Sequence, residues 1–289
     1  AGAKRQERVK AAGLRLLRAV PRGLLHLCWP AAVGFSLGVK RWGHVLVDGV
    51  MPVPPQTGAW DRLVLAQSKK ELLLSLVERQ FDPSAPMLRD LVSGKGSGSL
   101  FLLHGQPGTG KTLTVEALAE RFGRPLYYLT FGELGTSVSE LEATMGEVLS
   151  LASGWGALVL LDEGDALVER REKGALVMNS MVGVLLKALD AFEGLLFITT
   201  NRVASFDPAA LSRVTLAIRY STLKHAGRVK VWRNVLERAP GVDAATLDLD
   251  ALAKRGGSGR DINAAVRLAL ALSHHRKAPI TDALLAEVL

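Results

Sequence analysis

Cysteine is nearly missing from this chain: Cys28 is the only one among 289 residues. No intrachain disulfide can form, and a lone thiol fits a reducing compartment. No apolar run reaches the roughly 18 residues that a membrane span needs. The longest candidate, Cys28 to Val39, is too short and holds Pro30, Gly34 and Gly38. His225, His274 and His275 have no metal-ligand spacing with nearby cysteine, so no zinc site is expected. There is no helix-turn-helix signature, no aromatic–basic stacking platform for nucleic acid and no guanine-specifying Asn-Lys-x-Asp. Internal repeats and low-complexity stretches are absent too. Acidic residues are scarce at the start: residues 1–50 hold nine Lys/Arg against two Asp/Glu, so +7 of the net +8 sits there. Such a segment attracts nucleic acid, anionic lipid or an acidic partner, or is a solvated flank.

What is present is enough apolar residue, 48% against 22% charged, to bury a sizeable core. The length suits one large domain or a core with a satellite. Within it stands Gly105-Gln106-Pro107-Gly108-Thr109-Gly110-Lys111-Thr112, with Leu113 continuing into a helix-compatible run. The apolar Leu100–Leu103 and then His104 precede it. That is the strand–loop–helix context of a phosphate-binding loop. Consecutive backbone N–H groups in such a loop cradle phosphate oxygens, and the following helix directs its positive end at them. Lys111 reaches the β- and γ-phosphates, and the Thr112 hydroxyl ligates Mg2+. ATP and Mg2+ are therefore the expected cofactors.

Three further elements follow in order. Leu158–Leu161 is an apolar strand that delivers Asp162 and Glu163 at its carboxyl end, where ligands sit in a parallel sheet. Asp162 is expected to hold Mg2+, through water, and Glu163 to activate the attacking water. Thr199-Thr200-Asn201 ends a neighbouring strand, and Asn201 can orient that water without adding charge. Arg213 and Arg260 can each neutralise charge near the γ-phosphate. One arginine from the same chain and one from a neighbour would make hydrolysis depend on assembly.

Around these residues the pattern alternates. Residues 5–20 place Val9, Ala12, Leu16, Leu17 and Val20 on one helical stripe, ended by Pro21. Residues 8–29 also have the Arg-rich, acid-poor character of an organelle-targeting peptide. Phe35–Val50 reads as short strands broken by Gly38, Gly43 and Gly49, with a proline-rich linker to Gly58. A helix is expected over 68–80, capped by Ser68 with Glu71 three residues on, and a short one over Pro86–Val92. Strands at 100–104, 125–129, 157–161, 195–199 and 214–218 alternate with helices at 111–122, 137–152 and 175–192. Beyond residue 222 only helices follow. The expected class is α/β with a mostly parallel sheet, and then an all-helical unit. The expected domains are a basic segment and linker over 1–58, a nucleotide-binding domain over 59–222 and a helical domain over 223–289.

These elements in this order resemble the AAA+ ATPases, the AAA subgroup in the narrow sense most closely, over roughly residues 59–289. The resemblance implies a P-loop NTPase core with a parallel five-stranded sheet flanked by helices, and a small helical lid. It matches Lys111 and Thr112 to Walker A, Asp162 and Glu163 to Walker B, and Asn201 to the first sensor. Arg213 corresponds to a trans-acting arginine finger and Arg260 to the second sensor. Asp61–Leu65 corresponds to the segment whose backbone lies near adenine. The chain looks closer still to an uncharacterised fungal-type branch, through Phe35-Ser36-Leu37, Lys40-Arg41-Trp42 and Val47-Asp48-Gly49. It would then be the C-terminal part of something longer.

The chain departs from the family pattern in places. Gly164 stands where alanine is usual and should loosen the following helix by up to ~1 kcal/mol. The central-pore segment, near Gly132–Thr136, has Leu134 as its nearest hydrophobic instead of an aromatic, which argues against processive threading. Tyr127 reads as part of the buried strand. The usual second arginine beside the finger is displaced, and Arg219 reads as lying on a strand.

The leading expectation is an ATP-hydrolysing remodeller that forms a homo-oligomer, a hexamer, around an unidentified protein substrate. The alternatives are a nucleic-acid-linked motor or loader using segment 1–50, and a slow nucleotide-dependent scaffold. The expected compartment is intracellular, cytoplasmic or nuclear, with organelle targeting as the alternative.

Overall fold

The computed structural model describes residues 23, 28–54, 58–82, 98–164, 176–201 and 208–289. The helices expected over 5–20 and Pro86–Val92 lie outside them. The chain divides into two units, Ala1–Pro54 and Pro55–Leu289. None of the described helices is long and apolar enough to cross a membrane.

The first unit contains an antiparallel hairpin of β1 (Ala31–Ser36) and β2 (Arg41–Leu46). Gly38 lies in its turn, which closes with the Lys40 N–H on the Ser36 carbonyl. Gly43 does not break a strand as expected. It sits within β2 directly opposite Gly34, and paired backbone tolerates it because the ladder hydrogen bonds need no side chain. Phe35 and Trp42 face each other on one side, edge to face at 5.4 Å.

The second unit is built on a parallel sheet of β3 (Ser99–Gly105), β4 (Leu126–Thr130), β5 (Leu158–Asp162), β6 (Leu195–Thr200) and β7 (Leu216–Tyr220). Their spatial order is β4-β5-β6-β3-β7. The middle strands read as unbroken apolar runs because both of their faces are covered. Every residue from Leu158 to Leu161 and from Leu195 to Thr200 is buried. Phe101 and Phe197 are register partners on β3 and β6 and stack at 4.6 Å. Fully burying such a side chain stabilises the fold by about 1.5–3 kcal/mol.

The helices leading into this sheet are α1 (Ala59–Arg62), too short for the sequence pattern to signal, and α2 (Gln67–Phe81). The expected Ser68 cap does not form. The cap position is Ala66, without a side-chain bond, and Ser68 lies inside the first turn. Gln67 instead donates to Glu71 at 3.1 Å, one turn on, a pairing that supports an exposed helix face. Lys70 is buried beneath α1, where its ammonium donates to the Trp60 carbonyl at 2.8 Å and lies 5.6 Å from the Trp60 ring centre. Burial pushes its pKa down, an effect that the nearby Asp61 opposes.

Helix α3 (Lys111–Phe122) follows β3, α4 (Val138–Trp155) follows β4 and α5 (Leu176–Ala191) follows β5. Ser137 and Glu140 form a capping box at the start of α4, satisfying donors that the first turn leaves free. The short α6 (Pro208–Leu211) precedes β7, which starts two residues later than the sequence pattern suggests. The remainder is helical: α7 (His225–Leu236), α8 (Leu249–Lys254), α9 (Gly259–Arg276) and α10 (Asp282–Val288). They close around Trp232, Leu236, Ile262, Val266 and Leu285.

Candidate nucleotide site

The strand order sets where the site forms. β3 lies between β6 and β7, and β6 separates it from β5. The carboxyl ends of β3, β5 and β6 therefore open onto one edge of the sheet, the region where α/β folds bind ligands.

The loop after β3 takes its shape from its glycines. Gly105 has φ +146°, and a Cβ there would lie 2.2 Å from the Tyr220 carbonyl oxygen. Gly108 has φ +71°, and a Cβ would lie 2.4 Å from the Ser258 hydroxyl oxygen. Only glycine fits both demands. Gly110, at φ +98°, caps α3 without a side-chain hydrogen bond, and the N-terminus of such a helix suits an anion. Thr109 donates back to the Gln106 carbonyl at 2.8 Å, closing the loop over Pro107. Thr114 bonds the Gly110 carbonyl and shares a 2.7 Å hydrogen bond with Tyr220, tying α3 to the edge strand. Leu113 points outward and is exposed.

Lys111 is buried, and its ammonium donates to the carbonyls of Gly105 and Gln106 and to Asn201 Oδ1 at 2.8, 2.9 and 2.9 Å. Lys111 and Asn201, 90 residues apart in sequence, thus converge. The Thr112 hydroxyl faces Asp162, at 3.2 Å from Oδ2 and 3.4 Å from Oδ1. Burial and the cations Arg219, Lys69 and Lys111 hold the His104 pKa below its usual value. His104 is therefore neutral at neutral pH and adds no charge beside the loop.

Glu163 is exposed and adopts a left-handed backbone, φ +56°. A residue with a side chain is uncommon there. The turn is fixed by its own N–H, which lies 3.1 Å from Thr199 Oγ1 and 3.2 Å from Asp162 Oδ1. Two hydroxyls that the sequence motifs do not single out as site residues bind Asp162. Tyr128 donates to Oδ2 at 2.7 Å, and Thr199 donates to Oδ1. Partial desolvation and the Asp162 hydrogen bond push the Tyr128 pKa up. Period-two alternation in β4 does indicate that Tyr127 and Tyr128 face opposite ways. That β4 pairs with β5, which brings Tyr128 to Asp162, lies in the topology alone.

The lid reaches the same loop. Ser258 and Asp261 form a capping box at the start of α9. That geometry directs the Gly259 N–H to the Gly108 carbonyl at 2.9 Å. The Ser258 backbone and hydroxyl, with Arg260, hold the Asp261 carboxyl below the usual range. Arg260 is exposed, and its Cβ is next to Gly108. The segment Asp61–Leu65 is also in place beside the loop. The Arg62 carbonyl accepts from Asn234 of α7 at 2.8 Å, and Leu63 packs beside Gly110.

Arg213 makes a bidentate pair with Asp190, at 2.7 and 2.8 Å, and donates to the Ala209 carbonyl at 2.8 Å. Its partners are thus α5 and α6 of its own chain. Arg219 lies on β7, and its carbonyl accepts from Lys69.

Two of the departures have a local structural cause. Leu134 is fully buried in a 3-10 turn over Phe131–Leu134, closed by a Thr130–Glu133 capping box. It is a core residue. Gly164 has a packing reason: a Cβ there would meet Ile198 Cγ2 at 2.7 Å. Overpacking of this kind costs about 1–3 kcal/mol. Gly164→Ala should lower stability by that amount, read as a lower urea midpoint with an unchanged slope. The charged run Glu169–Glu172 lies outside the described residues.

The residues present fit ATP and Mg2+. The loop presents its backbone at the start of α3, the Lys111 ammonium is already desolvated, and Thr112 with Asp162 offers a hydroxyl and a carboxylate. Among the described residues no group of three or more His, Cys, Asp or Glu could hold a metal ion. Mg2+ sites commonly complete their shell with phosphate oxygens and water, which suits this arrangement.

Residues 101–222 match the family described as "ATPase family associated with various cellular activities (AAA)". Similar curated proteins include a 26S proteasome regulatory subunit homologue of Methanocaldococcus jannaschii, 32% identical over 169 residues, covering 56% of this chain and 46% of that protein. The ATP-dependent zinc metalloprotease FtsH of Streptococcus pneumoniae is 27% identical over 233 residues, 75% of this chain and 35% of its own. A proteasome-activating nucleotidase of Saccharolobus islandicus is 28% identical over 173 residues, 56% and 44% of the two chains. The match thus spans less than half the length of each of these relatives. Residues 101–222, which carry nearly all of the five-stranded parallel sheet, are thus similar to the AAA ATPase family.

Proposed function

We propose that this chain binds ATP with Mg2+, hydrolyses it, and works as a homo-oligomeric ring, a hexamer, that remodels a protein partner. The carrying observation is the convergence of Lys111, Asn201, Thr112, Asp162 and Glu163 at the carboxyl ends of neighbouring strands. Mg2+ supplies charge neutralisation at the transferred phosphoryl group. Lys111 binds the phosphates, Thr112 and Asp162 hold the cation, and Glu163 with Asn201 orients and deprotonates water. Arg260 approaches the nucleotide from the lid. Arg213 acts on the nucleotide of a neighbouring copy, which requires it to leave Asp190.

The domain bounds of this reading are 59–222 for the nucleotide-binding part and 223–289 for the lid. Its compartment is intracellular, cytoplasm or nucleus. The fungal-type branch remains our assignment for the hairpin region, supported by Phe35-Ser36-Leu37 and Lys40-Arg41-Trp42. A nucleic-acid partner gains no support, since all basic residues of segment 1–50 except Lys40 and Arg41 lie outside the described residues. The Asp190 pair on Arg213 favours one second reading, a slow scaffold that uses ATP mainly to assemble.

Calorimetric titration with ATP tests the binding half. Lys111→Ala should weaken affinity roughly 10- to 100-fold, as loss of a charge-assisted hydrogen bond does. Unchanged affinity would remove the phosphate-loop assignment.

A further inference from the structure

We propose that Tyr128 is a positioning residue for the acidic turn after β5. Its hydroxyl, with that of Thr199, holds the Asp162 carboxylate in the orientation that meets a divalent cation beside Thr112. This inference rests on the ATP–Mg2+ reading of the site.

Strand register brings the two side chains together. Tyr128 on β4 is opposite Leu160 on β5, and Thr130 is opposite Asp162. Tyr128 and Asp162 are therefore diagonal neighbours on one face, a separation that an aromatic side chain spans and a short one does not. The ring leaves the strand with two torsions and puts its hydroxyl 2.7 Å from Oδ2. The same oxygen lies 3.2 Å from the Thr112 hydroxyl. On the other oxygen, Oδ1, converge the Thr199 hydroxyl and the Glu163 N–H. Donors from α3, β4 and β6, with the turn's own backbone, thus surround one carboxylate.

The choice of donor has a chemical consequence. A lysine or arginine at this place would orient Asp162 but cancel its charge, and a cation would then bind weakly. A phenol and an alcohol orient it while leaving the full negative charge. The carboxylate is held in one rotamer before the cation arrives, so less ordering remains to be done on binding. Thr199 adds a second task, because it also accepts from the Glu163 N–H at 3.1 Å. It thereby supports the left-handed turn, φ +56°, that aims Glu163. Tyr128 and Thr199 divide the work: one sets the direction of Asp162, the other couples that direction to Glu163.

The test uses the whole chain and ATP as the probe, titrated by calorimetry in excess Mg2+ and again in EDTA. The readout is the ratio of the two dissociation constants, the tightening that Mg2+ confers. Tyr128→Phe removes only the hydroxyl. It should reduce that ratio roughly tenfold, the usual cost of losing a group that orients a metal ligand, while affinity in EDTA stays put. Thr199→Val should act in the same direction, and Thr199→Ser should restore the ratio. In an Asp162→Asn background Tyr128→Phe should add nothing, because the two act through one interaction. An unchanged ratio in Tyr128→Phe would overturn the positioning role. So would an equal loss with and without Mg2+, the signature of a merely structural side chain. A wild-type chain that binds no ATP in either buffer would instead overturn the functional reading beneath.

Discussion

Glu163→Gln should bind ATP with Mg2+ about as tightly as the unaltered chain, yet release phosphate at a rate lower by roughly 10^2–10^4, the contribution of a positioned general base. Glutamine keeps the shape and the left-handed turn, since the bonds that fix it run through the Glu163 N–H to Thr199 and Asp162. What is lost is the proton acceptor. A sharp fall in turnover with intact affinity separates the chemical step from binding. Single-turnover phosphate release gives the first quantity and calorimetry the second. A variant that hydrolyses ATP as fast as the wild type would mean that another group handles the water, and the division of labour between Asp162 and Glu163 would have to be redrawn.

Arg213→Ala should lower turnover at concentrations where copies assemble by about 10^3-fold, the lower end of the range for an arginine acting on the transferred phosphoryl group. At low concentration the variant and the wild type should converge. The reason is the bidentate pair with Asp190 in the same chain. While Asp190 holds it, the guanidinium serves α5, and the proposed catalytic use would wait for a neighbour. Breaking a pair that is about one-third exposed costs little, because solvent screens such ion pairs to within ~1 kcal/mol. Contact with a phosphate in a neighbouring site can offset that. Asp190→Asn should leave assembly intact and not slow hydrolysis. Equal rates for wild type and Arg213→Ala at every concentration would confine Arg213 to its structural pair.

The architecture was readable from residues because burial on both faces leaves a simple mark. Leu158–Leu161 and Leu195–Ile198 are apolar without interruption, and covered parallel strands require that. The phosphate loop was readable because its glycines have steric causes that nothing else satisfies. Asn201 and Asp162 were legible as strand-end residues, and the structure brings Asn201 to Lys111 and Asp162 to Thr112. Other features depend on which strand neighbours which. Tyr128 joins the site only because β4 pairs with β5. Gly164 is needed only because Ile198 of β6 crowds it. Leu134 is buried only because the turn at Phe131–Leu134 folds it inward. Ser68 looked like a cap by its type, while the helix begins one residue earlier, at Gln67. Gly43 marked a break only in the absence of its partner Gly34. Local chemistry was legible in each case, and long-range adjacency was not.

The measurement closest to the central claim is steady-state phosphate release per chain from ATP and Mg2+, across protein concentration, with mass determined in the same buffer. The account predicts that specific activity rises as oligomers form and reaches a plateau when assembly is complete. No phosphate release at any concentration from an assembled, ATP-binding chain would contradict it, and so would specific activity that does not change with assembly.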